Sequence, residues 1–245
     1  MVAEAVHHIR QRIDAACLRA GRSAHDVTLV AVAKTFSARA VVDALRAGVP
    51  DIGENYVQEF TRKRSELAQE AVRWHFIGHL QRNKVKAVVG RAELIHAVDS
   101  ARLAAEIDRC ARDLGIVQEV LVEVNTSGEE SKYGVPPAGT VALVSEIAAM
   151  RSLRCSGLMT IGPFLPEAES SRGAFRALAR LRDELAAQGL SGPHLSMGMT
   201  NDFEVAIEEG ATMIRIGTAI FGRRTAPPAP GDGGNQEGHT TVEHP

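Results

Sequence analysis

Three groups of residues in this sequence have the types that covalent and anion chemistry require. Lys34 follows directly on the uncharged run VTLVAVA at 27–33. A lysine leaving a buried strand is partly desolvated, which disfavours its ammonium form, and a neutral amine is what attacks a carbonyl to give an imine. A lysine there can also simply end the strand and reach water, and position alone does not separate the two. Arg215 stands in the apolar run MIRI at 213–216. Alternation puts Met213, Arg215 and Gly217 on one face and Ile214 and Ile216 on the other. With the isoleucines against a helical layer, Arg215 points inward, where its charge must find an acceptor. Near Lys34, that charge would lower the lysine pKa further. Gly217 and Thr218 open the segment GTAIFG. Free backbone N–H groups at a helical turn, with the Thr218 hydroxyl, suit a phosphate; a tight turn using glycine for shape is the competing reading. Ser196, in HLSM at 194–197, supplies a further hydroxyl nearby.

These residues need a scaffold, and the chain alternates strand and helix patterns from end to end. Val6, Ile9, Ile13 and Cys17 recur at helical spacing before a stop at Gly21. Strands are then expected to start at Val27, Asp51, Trp74, Leu94, Val120, Arg154, His194 and Met213, each followed by a helix-like segment. Helices are expected after Ser37, over about 55–70, around Lys84 to Val89, from Ser100, after Pro137, over about 167–188 and near Asp202 to Glu208. Eight βα units behind a leading helix predict a single α/β domain, a (β/α)8 TIM barrel, with an open doubly wound sheet as the alternative. In such a barrel, ligand groups gather where strands end, which is where Lys34, Asn55, His79, Ser196 and Gly217 fall. The barrel is assigned to 1–223. The remainder, 224–245, is rich in proline and glycine and poor in apolar side chains, so it reads as a disordered tail.

Composition narrows the function. The chain has 245 residues, 44% hydrophobic and 24% charged, with a net charge of −2, so nothing electrostatic favours nucleic acid or an anionic membrane. The cluster Arg62-Lys63-Arg64 sits among Glu59, Glu66 and Glu70 and reads as a solvated helix face. The three cysteines are widely spaced, which indicates neither a zinc site nor a disulfide framework. His75 and His79 lie along a strand and its exit, not on one helix face, so no metal is indicated. The N-terminal segment carries charges throughout and no long apolar run occurs, which predicts a cytoplasmic location without a membrane span.

An amine that wants an aldehyde, a turn that wants a phosphate and an arginine that wants a neutral acceptor describe one ligand. Pyridoxal 5′-phosphate (PLP) offers all three, the acceptor being its pyridine nitrogen. The segments LVAVAKT at 29–35, IGENYVQE at 52–59, WHFIGHLQRNK at 74–84, GLM at 157–159, LSMGM at 195–199 and RIGTAIFG at 215–222 closely resemble the YggS/PROSC family of PLP homeostasis proteins. That family is related to the N-terminal barrel of alanine racemases. The resemblance spans nearly all of residues 1–222. It implies PLP linked as a Schiff base to Lys34, phosphate contacts from Ser196, Gly217 and Thr218, Arg215 at the pyridine nitrogen, and Asn55 and Met197 near the ring. It also implies a monomer or weak homodimer.

The resemblance leaves carrier and catalyst to be weighed. An arginine at the pyridine nitrogen donates a hydrogen bond but keeps its proton, so the ring stays a weak electron sink. Racemases of this type add a second base, a tyrosine from another domain. Here only Tyr56 and Tyr133 are available, and both read first as packing residues. The expectation is a PLP-binding homeostasis protein without strong turnover, with apo PLP-dependent enzymes as recipients. A low-activity amino-acid racemase is the alternative. Lys84 and Lys132 are candidate secondary attachment points.

Overall fold

The computed structural model describes residues 1–129, 132–163 and 166–222; the tail expected over 224–245 lies outside the described residues. Eight parallel strands close into a barrel in sequence order. They are β1 (Thr28–Val32), β2 (Asp51–Glu54), β3 (Arg73–Phe76), β4 (Leu94–Val98), β5 (Gln118–Glu123), β6 (Leu153–Met159), β7 (His194–Ser196) and β8 (Met213–Ile216). The expected barrel is therefore the observed one. Strand starts agree to within two residues, the largest difference being Gln118 for Val120. Closure is made by β1 beside β8, with Ala31 opposite Ile216. That pairing brings the exits of the first and last strands together.

The leading helix α1 (Val2–Arg19) buries Val6, Ile9, Ile13 and Cys17, as their spacing requires. Outside the barrel follow α2 (Ala38–Arg46), α3 (Val57–Glu66), α4 (Ala101–Asp113), α5 (Pro137–Ala148), α6 (Arg172–Ala187), α7 (Phe203–Glu208) and the single turn α8 (Thr218–Phe221). Ser37 and Ser100 cap α2 and α4 by accepting from the Ala40 and Leu103 N–H groups. The helix expected around Lys84 to Val89 is a 3₁₀ segment, Arg82–Ala87. Val85 is buried within it, and Val88 and Val89 just beyond it are buried in the same core. Among the described residues, no helix is long and apolar enough to cross a membrane.

The core has two compartments. A large one lies between barrel and helices and includes Ile52, Phe60, Phe76, Ile95, Ile107, Leu195, Ile214 and Ile216. A small one inside the barrel consists of Leu94, Ala97, Leu121, Met159 and Met213. The alternation that separates Ile214 and Ile216 from Met213 and Arg215 is thus realised. All three cysteines are buried and free.

One glycine in a strand is required by close packing. Between β5 and β6 the register slips, Val120 facing Cys155 and Leu121 facing Gly157, so Ser156 is an extra residue on β6. Gly157 has φ +151°, and a Cβ there would lie 2.0 Å from the carbonyl oxygen of His194. Gly173, within α6, would place a Cβ in open space. Gly157→Ala should therefore lower unfolding stability by more than about 2 kcal/mol, while Gly173→Ala should raise it by about 0.5–1 kcal/mol. Urea unfolding of both variants checks this. Equal small effects would show that β6 relaxes around the bulge.

Candidate functional site

The strand exits at one end of the barrel hold most of the residues singled out above. β1 ends at Val32, so Lys34 lies two residues beyond the strand end, in the loop 33–36. The Phe36 N–H donates to the Ala33 carbonyl at 3.0 Å, closing a β-turn with Lys34 and Thr35 at its centre. Thr35 has φ +68°, a left-handed conformation that a β-branched residue rarely adopts.

What holds that turn is a residue whose expected place is solvent. Lys63 on α3 is fully buried, and its ammonium donates to the Ala33 carbonyl at 2.6 Å, Glu54 Oε1 at 2.6 Å and Glu59 Oε2 at 2.8 Å. Glu59 Oε2 also accepts from the Thr35 N–H at 2.8 Å. The reading of Arg62-Lys63-Arg64 as a solvated face is corrected for its central residue. Arg62 does face out and pairs with Glu66, but Lys63 shares the buried face of α3 with Phe60. The signal was present: Phe60, Lys63 and Leu67 continue a stripe at helical spacing, and Glu59 precedes Lys63 by four. Burial raises the Glu54 pKa, partly offset by Lys63. For Glu59 burial pushes up, yet the Lys63 and Thr35 hydrogen bonds bring the net shift below the ordinary value.

β8 delivers Arg215 to the barrel interior, almost fully buried. Its two terminal nitrogens donate to Ser196 Oγ at 2.7 Å and the Thr160 carbonyl at 2.8 Å. Burial lowers its pKa to about 10, against the opposing pull of Glu123 and Asp202, so it remains a cation at neutral pH. Ser196, expected as a phosphate hydroxyl, lies on β7 beside Arg215. Its hydroxyl is fully buried inside the barrel, bonded to Arg215 and, at 2.9 Å, to His96 Nδ1. Met197 turns its side chain outward into the core between barrel and helices. Gly217 and Thr218 follow β8, and a Cβ on Gly217 would sit 3.3 Å from the Val32 carbonyl, so this turn packs against the exit of β1. Thr218 is exposed and opens α8, where the first backbone N–H groups have no helical partner. Asn55 follows β2, and its buried Oδ1 has no hydrogen-bond partner among the described residues.

Three further groups belong to the site. His96 Nε2 meets His75 Nδ1 at 2.9 Å, and His75 Nε2 meets Asp51 Oδ1 at 3.1 Å. Glu123, nearly buried at the end of β5, has its pKa raised to about 7 by burial and by Asp99, against the pull of Arg215. At the rim, His79 stacks on Tyr133 at 4.0 Å and faces Asp99 at 3.4 Å. Lys132 donates to Glu129 and to the Gly162 carbonyl, and Lys84 is exposed on the 3₁₀ segment. No group of three or more His, Cys, Asp or Glu side chains suited to a metal occurs among the described residues.

A lysine turn, a buried arginine and a glycine-led turn on adjoining strands are the arrangement to compare with known proteins. Residues 6–225 match the family described as alanine racemase, N-terminal domain. The pyridoxal phosphate homeostasis protein of Aquifex aeolicus is 46% identical over 90% of this chain and 97% of its own length. That of Escherichia coli K12 is 40% identical over 91% of this chain and 97% of its own. The chain belongs to the pyridoxal phosphate homeostasis protein family. A solved member, PipY of Synechococcus elongatus with PLP bound, is 33% identical, with TM-score 0.78 over 91% of this chain and all of that one. An alanine racemase of Corynebacterium glutamicum, 18% identical with TM-score 0.67, shares the fold; 93% of this chain covers 62% of it.

Two stability outcomes follow. Lys63→Met strips the buried carboxylate of Glu54 of its cation and should cost about 3 kcal/mol or more, read by urea unfolding at pH 7. A loss below about 1 kcal/mol would show that the turn does not depend on this ion pair. Glu123 has a folded pKa above its unfolded one, so its contribution is favourable below about pH 4.5 and is lost as pH rises towards 7. Glu123→Gln should therefore leave stability near pH 4 unchanged and raise it at pH 8 by up to about 3 kcal/mol. Melting curves at the two pH values give the comparison.

Proposed function

We propose that this chain holds PLP on Lys34 and serves in storing and handing on the cofactor within the cytoplasm, without strong turnover of its own. The observation that carries this reading is the convergence of Lys34, Arg215 and the Gly217-Thr218 turn on the adjoining exits of β1 and β8. PLP supplies an aldehyde that condenses reversibly with an amine, which is the chemistry a carrier needs. The residues fit that group. Lys34 offers the amine, Arg215 a fixed donor for the ring nitrogen, and Gly217 and Thr218 backbone N–H groups and a hydroxyl for the phosphate. The orphaned Oδ1 of Asn55 marks a buried polar position that a ligand donor would complete. Ser196 has its hydroxyl committed to Arg215 and His96, so its part in the site is to orient Arg215. Met197 contributes through its backbone, since its side chain lies in the outer core.

The weak turnover follows from Arg215. With a pKa near 10 it donates a hydrogen bond at neutral pH and keeps its proton, so it does not turn the pyridine into a strong electron sink. Support also comes from relatives of 40–46% identity that carry the homeostasis name, and from a solved relative with PLP bound. Apo PLP-dependent enzymes are the natural recipients, and a monomer or weak homodimer leaves the barrel mouth open to them.

A racemase reading has one observation in its favour. Glu123, on the strand opposite β1 across the barrel, carries a proton near neutrality and supplies a second proton-handling group. After incubation with PLP, the protein should show a visible absorbance band that is absent from Lys34→Ala. Absence of the band from the native chain would overturn the proposal. Incubation with single L-amino acids followed by chiral analysis separates carrier from racemase. Racemisation that is abolished in both Lys34→Ala and Glu123→Gln would replace the first reading with the second.

A further inference from the structure

The interior of the barrel contains a continuous polar chain that PLP binding at the mouth does not by itself require. It runs from Arg215 on β8 through Ser196 on β7, His96 on β4 and His75 on β3 to Asp51, the first residue of β2. It therefore crosses the barrel from the half nearest the ligand end to the opposite end. His96 and Ser196 are fully buried and His75 nearly so. Side chains of this kind in a barrel core are costly unless every donor has an acceptor.

The donors and acceptors admit one consistent order. Arg215 can only donate, so Ser196 Oγ accepts from it at 2.7 Å. The Ser196 hydroxyl proton then needs an acceptor, and His96 Nδ1 stands at 2.9 Å. With Nδ1 accepting, neutral His96 carries its proton on Nε2 and donates to His75 Nδ1 at 2.9 Å. His75 in turn carries its proton on Nε2 and donates to Asp51 Oδ1 at 3.1 Å. Asp51 is anchored as a carboxylate by Arg73, which donates to both its oxygens. The reverse order fails at Ser196, whose oxygen would accept from both Arg215 and His96 while its own proton found no partner. The electrostatic surroundings agree. Burial holds His96 well below the ordinary histidine range, and the Arg215 cation pushes the same way. Burial pushes Asp51 up, but the hydrogen bonds from Arg73 and His75 take it down to about 2.

We propose that Ser196, His96, His75 and Asp51 form a one-directional hydrogen-bond relay that fixes the orientation of the Arg215 guanidinium, making His96 and His75 positioning residues for the ring nitrogen of the bound cofactor. The function of the relay rests on the PLP reading above; its hydrogen-bond order does not. Both imidazoles are neutral, both protonated on Nε2, and the Asp51 carboxylate sets the direction of every bond up to Arg215. A guanidinium so held has two of its donors occupied by Ser196 and the Thr160 carbonyl, which restricts how its remaining N–H groups can face a ligand.

The test has two arms. In the full chain without PLP, ¹⁵N NMR of the imidazole rings at pH 7 should show both His75 and His96 as neutral Nε2–H tautomers. A cationic ring, or a proton on Nδ1 of either, overturns the relay whatever PLP does. In the second arm, His96→Asn keeps an acceptor near the place of Nδ1, whereas His96→Leu leaves Ser196 with none. The Leu variant should bind PLP about tenfold more weakly than the native chain, with its visible band displaced. The Asn variant should recover most of both properties. Native affinity and an unshifted band in His96→Leu would overturn the positioning role. If that variant does not fold, an Asn variant as weak as Lys34→Ala would overturn it equally. Failure of the PLP reading shows instead as no band in the native chain, with the NMR arm unaffected.

Discussion

A cation that cannot be discharged has been closed inside a barrel, and much of the interior is arranged around it. Arg215 reaches the barrel interior because Ile214 and Ile216 take the apolar side of β8 and strand alternation leaves the arginine no other direction. Once inside, it needs acceptors at fixed places. Ser196 and the Thr160 carbonyl meet that need from β7 and from just beyond β6. Asp202, and Glu123 when ionised, supply compensating negative charge. Around this group the barrel core divides, with Leu94, Leu121, Met159 and Met213 filling apolar space beside a polar thread that leads to Asp51. Few other arrangements would leave so many buried polar atoms satisfied.

A second buried cation does for the loop what Arg215 does for the interior. The turn that presents Lys34 contains a threonine in a left-handed conformation, which costs on the order of 1–3 kcal/mol unless its surroundings impose it. Lys63 and Glu59 impose it by binding the carbonyl of Ala33 and the N–H of Thr35. Glu54, at the end of β2, completes the clamp and ties the first βα loop to the neighbouring strand. Lys34 is thus carried on a loop with little backbone freedom.

Much of this was legible in the residues themselves. Eight strand-like runs alternating with helical stretches behind a leading helix indicated a closed barrel. Lys34 and Arg215 stood out because each breaks or ends such a run. His75 and His96 gave the same signal more faintly, as ionisable residues within buried strands. Lys63 went unseen because its neighbours Arg62 and Arg64 are ordinary surface residues, and a charge triplet reads as solvated until the helix face is known. The segment after β3 read as a helix and is a 3₁₀ segment instead, although Val85, Val88 and Val89 are buried as a helical stripe would be.

The sequence by itself determined the period-two and period-3.6 patterns, and with them the strand count and the inward direction of Arg215. Those follow from local geometry, in which a residue's face is set by its neighbours along the chain. Only the closed barrel decided which inward groups meet. Arg215 and Ser196 are 19 residues apart, and His96 and Ser196 are 100 apart. No local rule relates such positions. Their encounter depends on the register between strands and on the closure of β8 against β1, where packing selects one alignment of eight strands. That alignment set Ser196 beside Arg215 and buried Lys63 against the turn that carries Lys34.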